Sequence, residues 1–487
     1  MLSASVMLLQ VMHRVDIDVS QVKLTKPLKS GTKSVRFEFI DPLWAWVCTA
    51  SDQNPNELHW KPAAQNQQNP VYGGGVQYGK SFAEACNSCP PGTFPMCVSL
   101  HWDGTSGGGI HADPICIAVA NSNSCSAETQ CCIGYMPSVP DDGRPGFADH
   151  KDSTTMKFHI RQQCCLSILR VLEKGAVRGV RCRLPNTRNV DVSMILFPRL
   201  ICMNFDQPEA QLFFGLKNKT SCTKCRWRKG FSAFRKGTLT SGSQVRRLYN
   251  IVKRGGPEAK RCSEKLQRWG FNPKRQCCLH SVLDVDKLLV RVPNGIDEVF
   301  PCLDYRDRMH SVFIFLHRVL VETLNTIPEL TPAKKAVFDQ RLQLLCQHRY
   351  FRDSNEKVFR NQNSIFVSTG MTAADKIAMV FLMPHVLGYT ADLIPRQHRE
   401  ALLTVIAHVQ LVFIAVSGNR QYTKSELHAI FDRGYLVIFG GLESIRAGVY
   451  QAQRARHEND PDNCPPPKRI RLQTRSVGVN ALPLRLS

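Results

Sequence analysis

Asp103 and Asp206 are the residues from which chemistry can be argued first. Phe94 to Trp102 reads as a strand ending in Asp103 and a Gly104-Thr105-Ser106 turn, and Phe197 to Phe205 reads as a strand ending in Asp206. If those strands are parallel neighbours, the carboxylates converge on one edge of a sheet. Two hard oxygen ligands there suit Mg²⁺ or Mn²⁺, which activates a water or a 3′-hydroxyl and stabilises the leaving oxygen of a phosphodiester. The structural alternative is a turn Asp accepting backbone N–H bonds. Cys222-Thr-Lys-Cys225 has the spacing of half a tetrahedral Zn²⁺ site; Cys262, Cys277, Cys278, His280 and His310 are candidates for the other ligands. A reduced, buried pair is the plainer reading. Asp307 and His310, three apart at the start of an apolar helical segment, share a helix face and could ligate a metal or orient a ligand, although Asp is favoured in a first helical turn anyway.

The cysteine pair lies inside the most charged part of the chain. The 487 residues carry 63 Lys and Arg against 40 Asp and Glu, a formal net charge of +23. Residues 217–275 hold 18 of those cations and only two acids, Glu258 and Glu264. Interleaved are Trp227, Phe231, Phe234, Tyr249, Trp269 and Phe271. Cations neutralise phosphates while rings stack on bases, so the segment reads as a nucleic-acid surface. Its candidate contacts are Lys224, Arg226, Trp227, Arg228, Lys229, Arg235, Lys236, Arg246 and Arg247. A solvated basic face with a small aromatic core is the alternative.

The elements that must position these residues follow from the hydrophobic pattern. Residues 93–206 read as an α/β unit: strands at Phe94–Trp102, Pro114–Ala120 and Gln130–Met136, then a long helix with Cys165, Ile168, Leu169, Leu172 and Val177 near one face, then the strand before Asp206. A three-strand meander, a crossover helix and a strand beside the first is the ribonuclease H-like order. Downstream the pattern turns helical: Met309 to Leu324, a helix opened by Thr372 to Asp375 that Pro384 bends or ends, Arg399 to Val416, and a last helix capped by Thr423-Lys-Ser-Glu426 that runs through Phe431 towards Phe439.

Apolar residues at 43% exclude wholesale disorder, and the length suits roughly three domains. The apolar run Val6 to Val11 has no Lys or Arg before it and no small-residue cleavage site, so no signal peptide is expected. Ala401 to Val416 carries Thr404, His408 and Gln410 and falls short of the roughly 20 residues of a bilayer span, so it reads as a core helix and no membrane partner is expected. The 20 cysteines then read mostly as small buried hydrophobes, the adjacent pairs Cys131–Cys132, Cys164–Cys165 and Cys277–Cys278 among them.

Taken in order, Tyr78-Gly79, Cys89-Pro-Pro-Gly-Thr93, Ser99-Leu-His-Trp-Asp-Gly-Thr105, Ile133-Gly-Tyr-Met-Pro137, Phe197-Pro-Arg-Leu200 and Cys222-x-x-Cys225 resemble eukaryotic cut-and-paste DNA transposases of the CACTA, Plavaka and Kyakuja–Dileera–Zisupton type. The likeness runs from about residue 35 to about residue 445. It implies that Asp103 and Asp206 are the first two catalytic acids, that Asp307 and His310 match the Asp/Cys-x-x-His motif of such enzymes, and that the partner is DNA. Such enzymes use a third acid, usually Glu, on a later helix. Glu443 is the last acid near an apolar helix here, its surroundings do not resemble the family's third-acid segment, and Glu400 and Glu426 read as surface or capping residues.

The expectation is an α/β chain with a ribonuclease H-like core, a basic Cys-containing insert and a large helical region. Its segments are 1–92, an N-terminal piece; 93–215, the core; 216–290, the insert; 291–450, the helical region; and 451–487, a disordered basic tail. The expected activity is transposase-like, Mg²⁺- or Mn²⁺-dependent DNA strand cleavage and transfer, with Zn²⁺ at the insert. The alternative is a non-enzymatic, domesticated or decayed nucleic-acid-binding protein on the same scaffold. Pro465-Pro-Pro-Lys-Arg-Ile-Arg-Leu472 has the make-up of a nuclear import signal, so a nuclear location is expected. Homo-oligomerisation stays open.

Overall fold

The computed structural model describes residues 11–22, 24–25, 28, 30–63, 71–73, 76–102, 105–107, 110–122, 129–140, 151–185, 190–204, 212–216, 242–280, 285–289, 315–347, 364–366, 373–388, 393–417 and 420–459. The fold is mixed α/β, and the chain divides into a sheet unit (residues 1–66 and 75–306) and a helical unit (residues 67–74 and 307–486).

The sheet unit opens with two strands that alternate in burial, β1 (Met12–Asp18) and β2 (Ser34–Ile40), paired antiparallel. Helix α1 (Pro42–Ser51) follows at once because Asp41 caps it, its carboxylate accepting from the Leu43 and Trp44 N–H groups while Pro42 presets the first turn. After β3 (Val71–Gly73), which belongs to the helical unit, come α2 (Lys80–Asn87) and β4 (Phe94–Trp102). A short pair, β5 (Thr105–Gly107) and β6 (Ile110–Ala112), leads into β7 (Pro114–Val119) and β8 (Gln130–Tyr135). Helix α3 (Lys151–Arg178) crosses over to β9 (Val180–Pro185) and β10 (Asp191–Asn204). The seven-stranded sheet has the order β1-β2-β8-β7-β4-β10-β9.

Pattern and packing agree where the signal is strong. β4 is an interior strand between β7 and β10, and Met96 to Leu100 are buried throughout because α3 and α1 cover one face and α2 the other. On α3, Cys165, Ile168, Leu169 and Leu172 are buried as expected, but Val177 is 43% exposed; Ala176, one residue earlier, takes its place in the core. Gly179 ends that helix with φ at 74°, its N–H donating to the Gly175 carbonyl at 2.8 Å. Gly134 joins β8 to β2, where an added Cβ would lie 2.9 Å from the Glu38 carbonyl oxygen. β1, β2 and β9 were not anticipated from the sequence.

The sheet unit continues with α4 (Gly242–Arg254), α5 (Pro257–Arg268) and α6 (Val285–Leu288). Val245, Leu248, Tyr249, Leu266, Trp269, Phe271, Cys277 and Cys278 from this stretch join the same core as β4 and α3.

The helical unit holds α7 (Phe315–Leu324), α8 (Pro332–Gln347), α9 (Ala373–Gly388) and α10 (Arg396–Ser417). Strand β11 (Gln421–Thr423) pairs with β3. It runs into α11 (Lys424–Leu427), a π-helical stretch His428–Arg433 and α12 (Gly434–Asn459). Pro384 does not end its helix, which runs on to Gly388. The capping box is formed as the sequence indicates: Thr423 Oγ1 accepts from the Glu426 N–H at 3.2 Å, and the Glu426 carboxylate accepts from the Thr423 N–H at 2.7 Å. Residues 398–415 of α10 are, by length and composition, long and apolar enough to cross a membrane; Leu402, Val405, Ile406, Val409 and Phe413 are buried, Leu411 and Ile414 are exposed, and α10 packs on α12 and α9.

Candidate functional site

The ends of β4 and β10, at one edge of the sheet, are the described residues that lead into the two aspartates. β10 pairs parallel with β4, with Cys202 opposite Ser99, Met203 opposite Leu100 and Asn204 opposite His101. Both strands therefore end side by side, pointing the same way. Asp103 follows Trp102 directly and Asp206 lies two positions after Asn204; both lie outside the described residues.

The described residues around that edge are firmly held. Trp102 is buried and meets Phe213 edge-on at 5.0 Å, and Phe213 meets Phe214 at 5.2 Å. Gln162 on α3 donates to the Phe213 carbonyl at 2.8 Å and accepts from the Cys278 N–H. The chain is thus tied down at Asn204 and again at 212–216, on both sides of Asp206. The start of β7 shares this edge, since Ile115 pairs with Trp102, and it brings Asp113 there. Arg161, 3% exposed, donates to Asp113 at 2.6 Å, and Lys157 lies at 3.9 Å. This carboxylate is already neutralised by cations.

Behind the edge, two motif strings meet. Arg199, in the Phe197-Pro-Arg-Leu200 string, is 3% exposed. Its guanidinium donates to Ser88 Oγ and to the Ser88 carbonyl, each at 2.8 Å, and to the Pro198 carbonyl at 2.9 Å. Ser88 is the C-cap of α2, so the cation sits at the negative end of a helix, next to the Cys89-Pro-Pro-Gly turn. Burial lowers the affinity of the guanidinium for its proton, and the nearby Cys89 and Cys97 oppose that shift.

Cys86-Asn-Ser-Cys89 is a second Cys-x-x-Cys, which corrects the expectation that Cys222 and Cys225 form the sole such pair. Its thiols donate to backbone carbonyls, Cys86 to Trp60 at 3.7 Å and Cys89 to Ala85 at 3.2 Å. Burial pushes Cys86 up to about 11 and raises Cys89, so both stay protonated at neutral pH. Among the adjacent pairs, Cys164, Cys165, Cys277 and Cys278 are buried, while Cys131 is half-buried and Cys132 exposed, against the packing role assigned to that pair. Among the described residues no group of three or more His, Cys, Asp or Glu side chains is placed to hold a metal.

Cys222, Cys225, Lys224, Arg226, Trp227, Arg228, Lys229, Arg235, Lys236, Asp307, His310 and the tail beyond Asn459 lie outside the described residues. Arg246 is half-buried and Arg247 exposed on α4. Three of the interleaved aromatics are corrected: Tyr249, Trp269 and Phe271 are 2%, 8% and 1% exposed and belong to the core. Tyr249 donates its hydroxyl to the Asn272 carbonyl at 3.0 Å, and burial raises its pKa. Glu443 is exposed on α12, one turn from the buried Arg446, whose charge it favours. Glu400 pairs with Arg396 at 2.8 Å and Glu426 completes the capping box, the surface and capping roles read from sequence. The chain matches no protein-family model and no curated protein.

Proposed function

We propose that this chain is a transposase-like DNA-binding protein whose sheet unit carries a metal-dependent strand cleavage and transfer core. The observation that carries the reading is the parallel pairing of β10 with β4, with Asn204 opposite His101. The meander β4-β7-β8, the crossover helix α3 and a strand returning beside β4 support a ribonuclease H-like order. The donor chemistry of Asp103 and Asp206, two carboxylates following adjacent parallel strands, fits a hard divalent cation. A bound Mg²⁺ or Mn²⁺ supplies activation of a water or 3′-hydroxyl and charge stabilisation on the leaving oxygen. Trp102, Phe213 and Gln162 then act as the rigid support of that edge. Cys222 and Cys225 would bind Zn²⁺ in this reading. DNA is the partner, met through the cations of the insert, and the nucleus is the location.

A second reading, DNA binding without cleavage, is favoured by the Arg161–Asp113 pair, which takes a carboxylate at the same edge out of metal binding. Incubating the full chain with supercoiled plasmid and Mg²⁺ decides between them. Nicking abolished by Asp103→Ala and by Asp206→Asn supports the enzyme. Binding with no nicking, unchanged by Asp103→Ala, supports the non-enzymatic reading. Failure to bind DNA sinks both.

A further inference from the structure

The α4–α5 pair is a mounted surface within the basic insert. Gly255 and Gly256, with φ at 78° and 89°, join the helices through left-handed backbone that glycine adopts without strain. α4 buries Val245, Leu248 and Tyr249, while α5 buries only Leu266 before the chain dives back in at Trp269 and Phe271. At the helical angle of 3.6 residues per turn, Lys260, Arg261, Glu264, Gln267 and Arg268 fall on the side away from Leu266, and all five are exposed. Lys260, Arg261, Glu264 and Gln267 make no side-chain bond among the described residues. α4 adds Arg246, Arg247, Lys253 and Arg254, with no acid in the helix.

We infer that α5 reads base edges in the major groove of duplex DNA, while the cations of α4 and the Gly-Gly turn hold the flanking phosphates. The inference rests on the reading that DNA is the partner. A helix of 12 residues is about 18 Å long and, with side chains, about 10–12 Å across, and the groove is about 12 Å wide. The outer face carries the side chains that groove readout uses: Arg for guanine, Gln for adenine, Glu for the cytosine amino group. Long cations on α4 with no ion pair among the described residues suit phosphates. Single strands are disfavoured because the hairpin's rings, Tyr249, Trp269 and Phe271, are buried and cannot stack on bases. Duplex RNA is disfavoured because its major groove is too deep and narrow for a helix.

The test uses the full chain in EDTA, so that cleavage plays no part, and a pool of short random DNA duplexes sequenced after selection. The wild-type chain is expected to enrich a short motif. Arg261→Lys keeps the charge but loses bidentate geometry, and Gln267→Ala loses the amide; each is expected to flatten preference at one or two neighbouring positions by about tenfold. Lys253→Ala is expected to weaken all sequences alike and to leave the motif unchanged. Matching melting temperatures keep the comparison free of folding defects. An absent motif, a motif unchanged in both α5 variants, or equal binding of single strands or duplex RNA overturns the inference. If nicking with Mg²⁺ survives while no motif appears, the proposed function stands and this inference falls; a motif without nicking gives the reverse.

Discussion

Exposed charge is handled differently on helices α7, α10 and α12 of the helical unit and on the α4–α5 pair of the sheet unit. In the helical unit, arginines are matched along their own helices: Arg318 with Glu322, Arg396 with Glu400 and Arg454 with Glu458, each at the four-residue spacing. In α4 and α5 of the sheet unit, Arg246, Arg247, Lys253, Arg254, Lys260 and Arg261 have no ion pair among the described residues. Interiors show no such division: the sheet unit ties its buried Arg199 to Ser88 and Arg161 to Asp113, and the helical unit ties its buried Arg446 to Thr323. His317 in the helical unit is buried with neither ring nitrogen bonded among the described residues. Self-paired charge stabilises its own helix; unpaired charge repels until a polyanion arrives.

Replacing Lys253, Arg254, Lys260 and Arg261 with Ala should cost on the order of a thousandfold in duplex affinity at low salt and flatten the salt slope by about one unit for each phosphate no longer neutralised. Arg318, Arg396 and Arg454 replaced together should change affinity little. Fluorescence anisotropy across a salt series checks both, and equal losses from the two sets would break the comparison.

Acid should find the helical unit first. Burial, followed by the nearby Lys376, holds the His317 pKa down to about 4. Because the folded value lies below that of a free imidazole, the neutral ring is no liability above about pH 6.5, and stability is lost as pH falls from there towards 4. The loss amounts to about 3 kcal/mol at full protonation. His317→Leu should remove that slope; thermal melts at pH 7 and pH 4.5 that shift equally in both proteins would contradict it.

Arg199→Met should destabilise the sheet unit by about 2–3 kcal/mol, since the Ser88 hydroxyl and carbonyl lose charged donors in the interior. Limited proteolysis at the Cys89-Pro-Pro-Gly turn, faster in the variant, reports it. The smallest effect is at the capping box. Thr423→Ala should cost about 1 kcal/mol, visible as earlier fraying of 424–433 in hydrogen exchange.

Legibility in the sequence followed the range of the interaction. β4, β7, β8 and α3 were readable because burial period and turn residues are local, and the Thr423–Glu426 box because its partners are three residues apart. β2 is legible too, with Val35, Phe37 and Phe39 alternating against Arg36 and Glu38. Tyr249, Trp269 and Phe271 were not readable as core. A ring among cations looks alike whether it faces a base or a β-sheet, and only packing against the distant core decides.

The candidate site divides the same way. Residue type and local pattern alone determined that Asp103 and Asp206 follow strands, that 217–275 concentrates the positive charge, and that the chain turns helical beyond it. The tertiary structure alone decided that β10 lies parallel beside β4, that Arg199 fastens the end of α2 across 111 residues, and that α5 turns its polar face outward. Strand pairing and helix orientation are set by which apolar surfaces can be buried together, a free energy summed over residues far apart in the chain.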